Sequence, residues 1–493
     1  MHFVSTRGCS EKIKGSKAIV NGLCSDGGLY VPTEFPYLKN ELNKFINLSY
    51  KELCFEILKL FLDDFTENEL KSCINKAYDD KFDTEIIAPT KKINDNYFLE
   101  LYHGPTCAFK DMALTLMPHL LEKSLKKNDI KEDIVILTAT SGDTGKAALE
   151  GFKDLDQIKI IVFFPEDGVS NIQRLQMRTQ EGSNTHVVSI NGNFDDAQSA
   201  VKNIFNDEEF NKFLLKNNYI LSSANSINIG RLLPQIVYYF YSYLNLVRDK
   251  YIKLGDKINF VVPTGNFGNI LAAYYAKLMG LPINKLICAS NENNVLYDFF
   301  ETGKYDKNRL LHLTTSPSMD ILISSNLERL LFEVSNRDDK KVNLLINSLN
   351  AKGFYEIDED MELNLSTFHG EYATEVEVKE NINKVFKESN YLIDTHTCVA
   401  YTAYEKYKKI NSEDVVTVIV STASPYKFSK DVLSSLGKSV ENLNEFDILE
   451  KLSLETNKKI PLPIKNLKTA KILHNRNCEK YQLKKEIENI LKV

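Results

Sequence analysis

The chain has 493 residues, enough for about two to four domains with sizeable cores, and its 43% hydrophobic and 26% charged content is ordinary for a globular protein in water. A net charge of −6 without a long Lys/Arg block argues against nucleic acid or an anionic membrane as the main partner. No stretch approaches the roughly 18 apolar residues of a membrane span, residues 1–8 lack a signal-peptide core, and eight scattered cysteines without a CxxC pair form neither a zinc framework nor a disulfide scaffold. The expectation is a cytoplasmic protein in a reducing compartment, without a metal site.

In chain order, residues 1–95 read as an N-terminal extension. Loops surround Asp26-Gly27-Gly28 and Pro32, and amphipathic helical patterns follow over 51–76. The apolar run 97–102 then leads into His103-Gly104-Pro105-Thr106-Cys107-Ala108-Phe109-Lys110-Asp111. Pro105 resists helix before it, Thr106 suits an N-cap, and 108–116 has helical spacing, which predicts Lys110 in a first helical turn. Unpaired N–H groups and the macrodipole disfavour added positive charge there. A lysine with a lowered pKa suits Schiff-base chemistry, because only the neutral amine attacks a carbonyl.

Apolar runs at 134–137, 158–164, 186–190, 258–262, 286–289 and 415–420 are dense in Val and Ile rather than alternating, as expected of strands covered on both faces. Strand, loop and helix in repeated order predict an α/β architecture with mostly parallel sheets. Residues 136–220 are assigned to a smaller α/β domain. Residues 96–135 and 221–493 are assigned to a larger one, with a charged helical insertion at about 336–386.

Three strand-to-helix loops carry candidate chemistry. Ser141-Gly142-Asp143-Thr144-Gly145 offers hydroxyls, close backbone approach and a helix start, which suit a carboxylate. Pro263-Thr264-Gly265-Asn266-Phe267-Gly268-Asn269 feeds an apolar helix and has the form of a phosphate cradle. It lacks both the Gly-Lys-Ser/Thr ending of a nucleotide loop and the GxGxxG spacing of a dinucleotide fold, which argues against a nicotinamide-dependent dehydrogenase. Ser421-Thr422-Ala423-Ser424-Pro425 places a hydroxyl at a strand end, where it can meet a ring nitrogen. Each loop alone also reads as an ordinary β-to-α turn. Two anion-type loops together with a helix-start lysine are more than accident would supply.

Together these motifs resemble threonine synthase, within the pyridoxal-phosphate enzymes that include tryptophan synthase β-subunits and cysteine synthases. Ser5-Thr6-Arg7-Gly8, residues 26–32, residues 171–177 (NIQRLQM) and residues 225–231 (NSINIGR) add to the resemblance, which spans residues 5–425 and favours the longer bacterial and fungal form. It implies fold type II, with two parallel-rich α/β domains and the active site between them. It implies that Lys110 holds pyridoxal 5'-phosphate as a Schiff base and shuttles protons, that Gly265, Asn266, Phe267, Gly268 and Asn269 bind the cofactor phosphate, and that Thr422 meets the pyridine nitrogen. Ser141, Gly142, Asp143 and Thr144 hold the substrate carboxylate. The implied activity is a lyase-type conversion of O-phospho-L-homoserine and water to L-threonine and phosphate. Alternatives are a phospholyase releasing 2-oxobutyrate from the same substrate and a non-catalytic relative. For the substrate phosphate the candidates are Arg231, Lys146 and Arg174, with Arg231 preferred. Some relatives carry Asn in place of Asp143, and a carboxylate there repels a substrate carboxylate unless protonated or pointed away. Monomer and homodimer both remain open.

Overall fold

The computed structural model describes residues 1–493 except 10, 141, 167, 168 and 193. Two parallel sheets organise it. The larger has six strands in the order Phe368–Tyr372, Ile283–Ser290, Ile258–Pro263, Thr417–Ser421, Asn96–Glu100 and Thr90–Ile93. All neighbours are parallel except the last pair. The smaller has five parallel strands in the order Arg476–Glu479, Thr185–Asn191, Ile158–Pro165, Asp133–Ala139 and Tyr219–Ser222.

The unalternating Val/Ile runs have a simple cause. In Asp133–Ala139, Ile134 and Ile136 face the main core, while Val135 and Leu137 face a second core under the helices Phe194–Phe205 and Glu208–Lys216. The large sheet repeats the pattern: Phe260 and Val262 point one way, Val261 the other. A period of two with apolar residues on both faces gives an unbroken apolar run.

Four expectations are corrected by the pairing. The strand Arg476–Glu479 and the helix Leu483–Leu491 belong to the small sheet and its outer core, not to the large domain. The sequence RNCE has no apolar run because this is an edge strand with one partner. The boundaries expected at 135/136 and 220/221 shift, since Asp133–Ala139 and Tyr219–Ser222 lie wholly in the small sheet. Thr90–Ile93, placed in the extension, closes one edge of the large sheet. The segment 336–386 is not purely a helical insertion: within it Phe368–Tyr372 forms the opposite edge of that sheet.

The extension is mostly helical. Ser49 with Glu52 and Thr66 with Glu69 form capping boxes on the helices Tyr50–Phe61 and Glu67–Ala77. It is fastened to the large sheet at His103, whose ring bonds Asp83 Oδ1 at 2.5 Å and Glu100 Oε2 at 2.9 Å. Burial disfavours charge on His103, but the two carboxylates outweigh it and raise its pKa to about 9. A raised histidine pKa contributes stability that is complete below the ordinary value of 6.5 and lost as pH rises through about 9. Denaturant melts of His103→Gln should therefore show a deficit of about 1–3 kcal/mol below pH ~6.5 that shrinks as pH passes through 9.

Candidate functional site

All three sequence loops lie at the carboxyl ends of parallel strands, where open α/β sheets place their ligand crevice. In the large sheet the loops after the neighbouring strands Asn96–Glu100 and Thr417–Ser421 are joined by a seam of main chain. Ala108 and Ala423 form an antiparallel bridge, Phe109 N donates to Thr422 O at 2.8 Å, and Ser424 N donates to Cys107 O at 3.0 Å. The seam delays the helix expected from 108. Cys107 has φ 60°, Ala108 is bridged, and the helix runs only Asp111–Leu114 with Lys110 as its N-cap residue. Thr106 is not the cap: its N and Oγ1 donate to Asp111 at 2.8 and 2.5 Å, bracing the turn that presents Lys110.

Lys110 Nζ donates to Ser318 Oγ at 3.2 Å and lies 3.9 Å from Asp143 Oδ2. Burial brings its pKa down to about 8; Asp143 opposes this, and Arg231 and Lys427 add to it. The lowered lysine expected from the sequence is present, although desolvation, rather than the helix start, is its main cause.

Asp143 begins the helix Asp143–Phe152 after Gly142, whose φ of 133° only glycine adopts readily. The carboxylate is neither protonated nor free. Its Oδ1 accepts from Lys427 Nζ at 2.9 Å and from Gln173 Nε2 at 2.9 Å. Burial alone would raise its pKa, but Lys427 and Lys110 hold it well below the ordinary carboxylate value. Lys427 neutralises the charge that would repel a substrate carboxylate. Gly142 N and Gly145 N are both taken by Thr140 Oγ1 at 2.9 Å, so among the described residues the donors without a partner at this helix start are the amides of Asp143 and Thr144 and the Thr144 hydroxyl. Ser141, named with them from the sequence, lies outside the described residues.

The second loop follows Ile258–Pro263 and opens the buried helix Gly268–Leu278. Phe267 takes the left-handed conformation at φ 62°, turning the chain into the helix. Ser324 Oγ donates to Gly265 O at 2.7 Å and Asn326 Nδ2 to Asn266 O at 2.9 Å, so the loop is held from behind. Tyr238 and Tyr239 donate to Asn269 Oδ1 at 2.5 and 2.7 Å, which fixes the amide, while its Nδ2 is buried without a partner among the described residues. A helix start plus an orphan buried donor fits a phosphate. Thr422 is buried, and its hydroxyl has no hydrogen bond among the described residues.

Arg231 sits in the first turn of the helix Ile229–Arg248 and is 4% exposed. Its Nη1 donates to Ala224 O at 2.8 Å, its Nε has no partner, and no carboxylate pairs with it among the described residues. Burial lowers its pKa to about 10. A buried cation without a counter-ion is costly, so the arrangement calls for an anion from outside the chain. The other two candidates are already engaged: Lys146 by Glu150 and Gln180, and Arg174 by Glu166 and Asn171.

The loop can be probed by two glycines. A Cβ on Gly265 would lie 2.7 Å from Ser318 O, whereas one on Gly268 would meet nothing closer than 3.5 Å. Urea denaturation should show Gly265→Ala destabilised by about 1–3 kcal/mol through overpacking and Gly268→Ala within about 0.5 kcal/mol of the parent.

Comparison with known proteins agrees with this geometry. The family described as "Threonine synthase N terminus" matches residues 2–78, and that described as "Pyridoxal-phosphate dependent enzyme" matches residues 87–422. The chain is 41% identical over 464 residues to human threonine synthase-like 1, covering 90% of this chain but 61% of that protein, so it spans about three fifths of that relative's length. It is 39% identical over 436 residues to threonine synthase from Pseudomonas aeruginosa, covering 88% of this chain and 90% of that one. The crystal structure of pyridoxal-phosphate-bound threonine synthase from Brucella melitensis superposes with a TM-score of 0.88 at 35% identity, covering 100% of both chains.

Proposed function

The chain belongs to the threonine synthase family of pyridoxal-phosphate-dependent enzymes, and we propose that it converts O-phospho-L-homoserine and water to L-threonine and phosphate. The observation that carries this reading is a largely buried lysine with a pKa lowered to about 8 near a buried arginine that has no counter-ion among the described residues. The first suits capture of a carbonyl cofactor, and the second a phosphorylated substrate.

The residues fit the cofactor. Lys110 would hold it covalently, the amides of the helix start after Phe267 and the Asn269 Nδ2, unpartnered among the described residues, would take its phosphate with Gly265, Asn266 and Gly268, and the Thr422 hydroxyl would meet its ring nitrogen. Bound there, pyridoxal phosphate supplies an electron sink for carbanion charge on the substrate. Lys110, close to neutral pH in its proton affinity, takes and returns protons at the substrate carbons. The amides of Asp143 and Thr144 orient the substrate carboxylate, and Lys427 removes the repulsion from Asp143. Arg231 binds the substrate phosphate and stabilises it as it leaves.

The reaction is tested by incubating the protein with pyridoxal phosphate and O-phospho-L-homoserine and measuring all products. Threonine and phosphate in equal amounts support the reading; 2-oxobutyrate with ammonia instead assigns the phospholyase. Lys110→Ala should fold but lose turnover by about 10²-fold or more, and borohydride reduction of the parent should label Lys110, which peptide mapping reads directly. A label on another lysine removes Lys110 from the role.

Arg231→Lys keeps the charge but loses the planar two-donor grip on phosphate. It should lower kcat/KM for phosphohomoserine by about 10- to 100-fold, the loss of one charged hydrogen bond, with the cofactor absorption unchanged. Unaltered kinetics would place the phosphate elsewhere.

A further inference from the structure

Lys427 has no role in the sequence motifs, yet it is 1% exposed and reaches into the site from the short helix Pro425–Phe428. Its Nζ meets three acceptors: Thr106 O at 2.8 Å, Gln176 Oε1 at 3.0 Å and Asp143 Oδ1 at 2.9 Å. Three acceptors match the three N–H donors of an ammonium. Two of them belong to the helices Asp143–Phe152 and Asn171–Arg178 of the small-sheet side, and the third to the turn that presents Lys110.

The two oxygens of Asp143 divide their partners. Oδ1 is held by Lys427 and Gln173, while Oδ2 faces Lys110 at 3.9 Å, beyond hydrogen-bond reach. We propose that Lys427 is a positioning residue for Lys110. By anchoring Asp143 through Oδ1, it prevents that carboxylate from closing on Lys110 as a counter-ion. The Lys110 amine is left free to add to the cofactor aldehyde, forming the Nζ–C bond and releasing the carbonyl oxygen as water.

The charges around Lys110 bear this out. Asp143 faces it from the helix Asp143–Phe152, Arg231 from the helix Ile229–Arg248, Lys427 from the Pro425–Phe428 turn and Asp111 from its own helix. The Pro317–Met319 turn contributes only the Ser318 hydroxyl, with His396 behind it accepting from Ser318 N at 3.2 Å. Asp143 is the strongest of these charges in holding a proton on Lys110. Removing Lys427 both frees Asp143 and deletes a repelling cation, and the two effects act in the same direction.

The inference rests on Lys110 as the cofactor lysine, which borohydride labelling tests separately. Its own test uses the cofactor-free full chain. Acylation of Lys110 by dilute acetic anhydride is followed by mass spectrometry of the Lys110 peptide as pH is varied, beside the rate at which absorbance grows when pyridoxal phosphate is added. At about pH 7.5, Lys427→Met should slow both rates about 10-fold, equivalent to roughly one unit of proton affinity. Asp143→Asn should speed acylation, and the double variant should return to within about 3-fold of the parent. A purely structural lysine predicts that the double variant stays as impaired as Lys427→Met, and that result overturns the proposal. Should Lys427→Met not fold, Lys427→Gln decides by the same two rates: slower acylation and slower cofactor uptake support the proposal, and rates unchanged from the parent overturn it.

Discussion

The site is organised around one buried carboxylate. Asp143 lies between two lysines from different parts of the chain, 2.9 Å from Lys427 and 3.9 Å from Lys110. Opposite charges about 4 Å apart attract by about 4 kcal/mol at the effective dielectric of a protein, and a shorter, hydrogen-bonded contact gains more. The competition therefore favours Lys427, and Lys110 is left with burial as the dominant influence on its charge. Counting charges extends the point. Lys427 and Arg231 are buried here and Lys110 largely so, against Asp143 and against Asp111, whose carboxylate is occupied by Thr106. Such a surplus of positive charge is tolerable only where anions are to be bound.

The backbone explains why these groups meet. Parallel strands deliver their following loops to one edge of each sheet, and the bridge between Ala108 and Ala423 joins the lysine turn to the end of Thr417–Ser421. Thr106 is the hinge of this arrangement. Its hydroxyl and amide brace Asp111, and its carbonyl accepts from Lys427. The segment carrying Ser318, Ser324 and Asn326 supports the loop 263–269 and contacts Lys110, and Glu328 just beyond it pairs with Arg7 at 2.8 Å. The N-terminal extension is thereby tied to the site, although none of its residues was singled out as a binding group.

Much of this was legible in the sequence, and the rest was hidden for identifiable reasons. The central strands announce themselves because both faces are covered, as in Asp133–Ala139 and Ile258–Pro263. The edge strands Phe368–Tyr372 and Arg476–Glu479 do not, because one partner and partial exposure leave polar residues among the apolar ones. Lys110 stands out through its local motif, but the helix after it starts three residues later than its spacing suggests. A long-range bridge at Ala108 overrides local propensity there. Lys427 was invisible for a deeper reason: its three acceptors lie 251 to 321 residues away in sequence, so no local pattern signals it. Gln173 was within a recognised stretch, yet only the fold shows that it shares Asp143 with Lys427.

The charge state of Lys110 is the most direct test of this arrangement. Titrating the ¹³Cε signal of Lys110 in the cofactor-free protein, assigned through its loss in Lys110→Ala, reads that state without any turnover. The expected midpoint is about 8. A midpoint at the ordinary lysine value of 10.5 would mean that Asp143 pairs with Lys110 after all, and would contradict the division of its two oxygens on which the site is built.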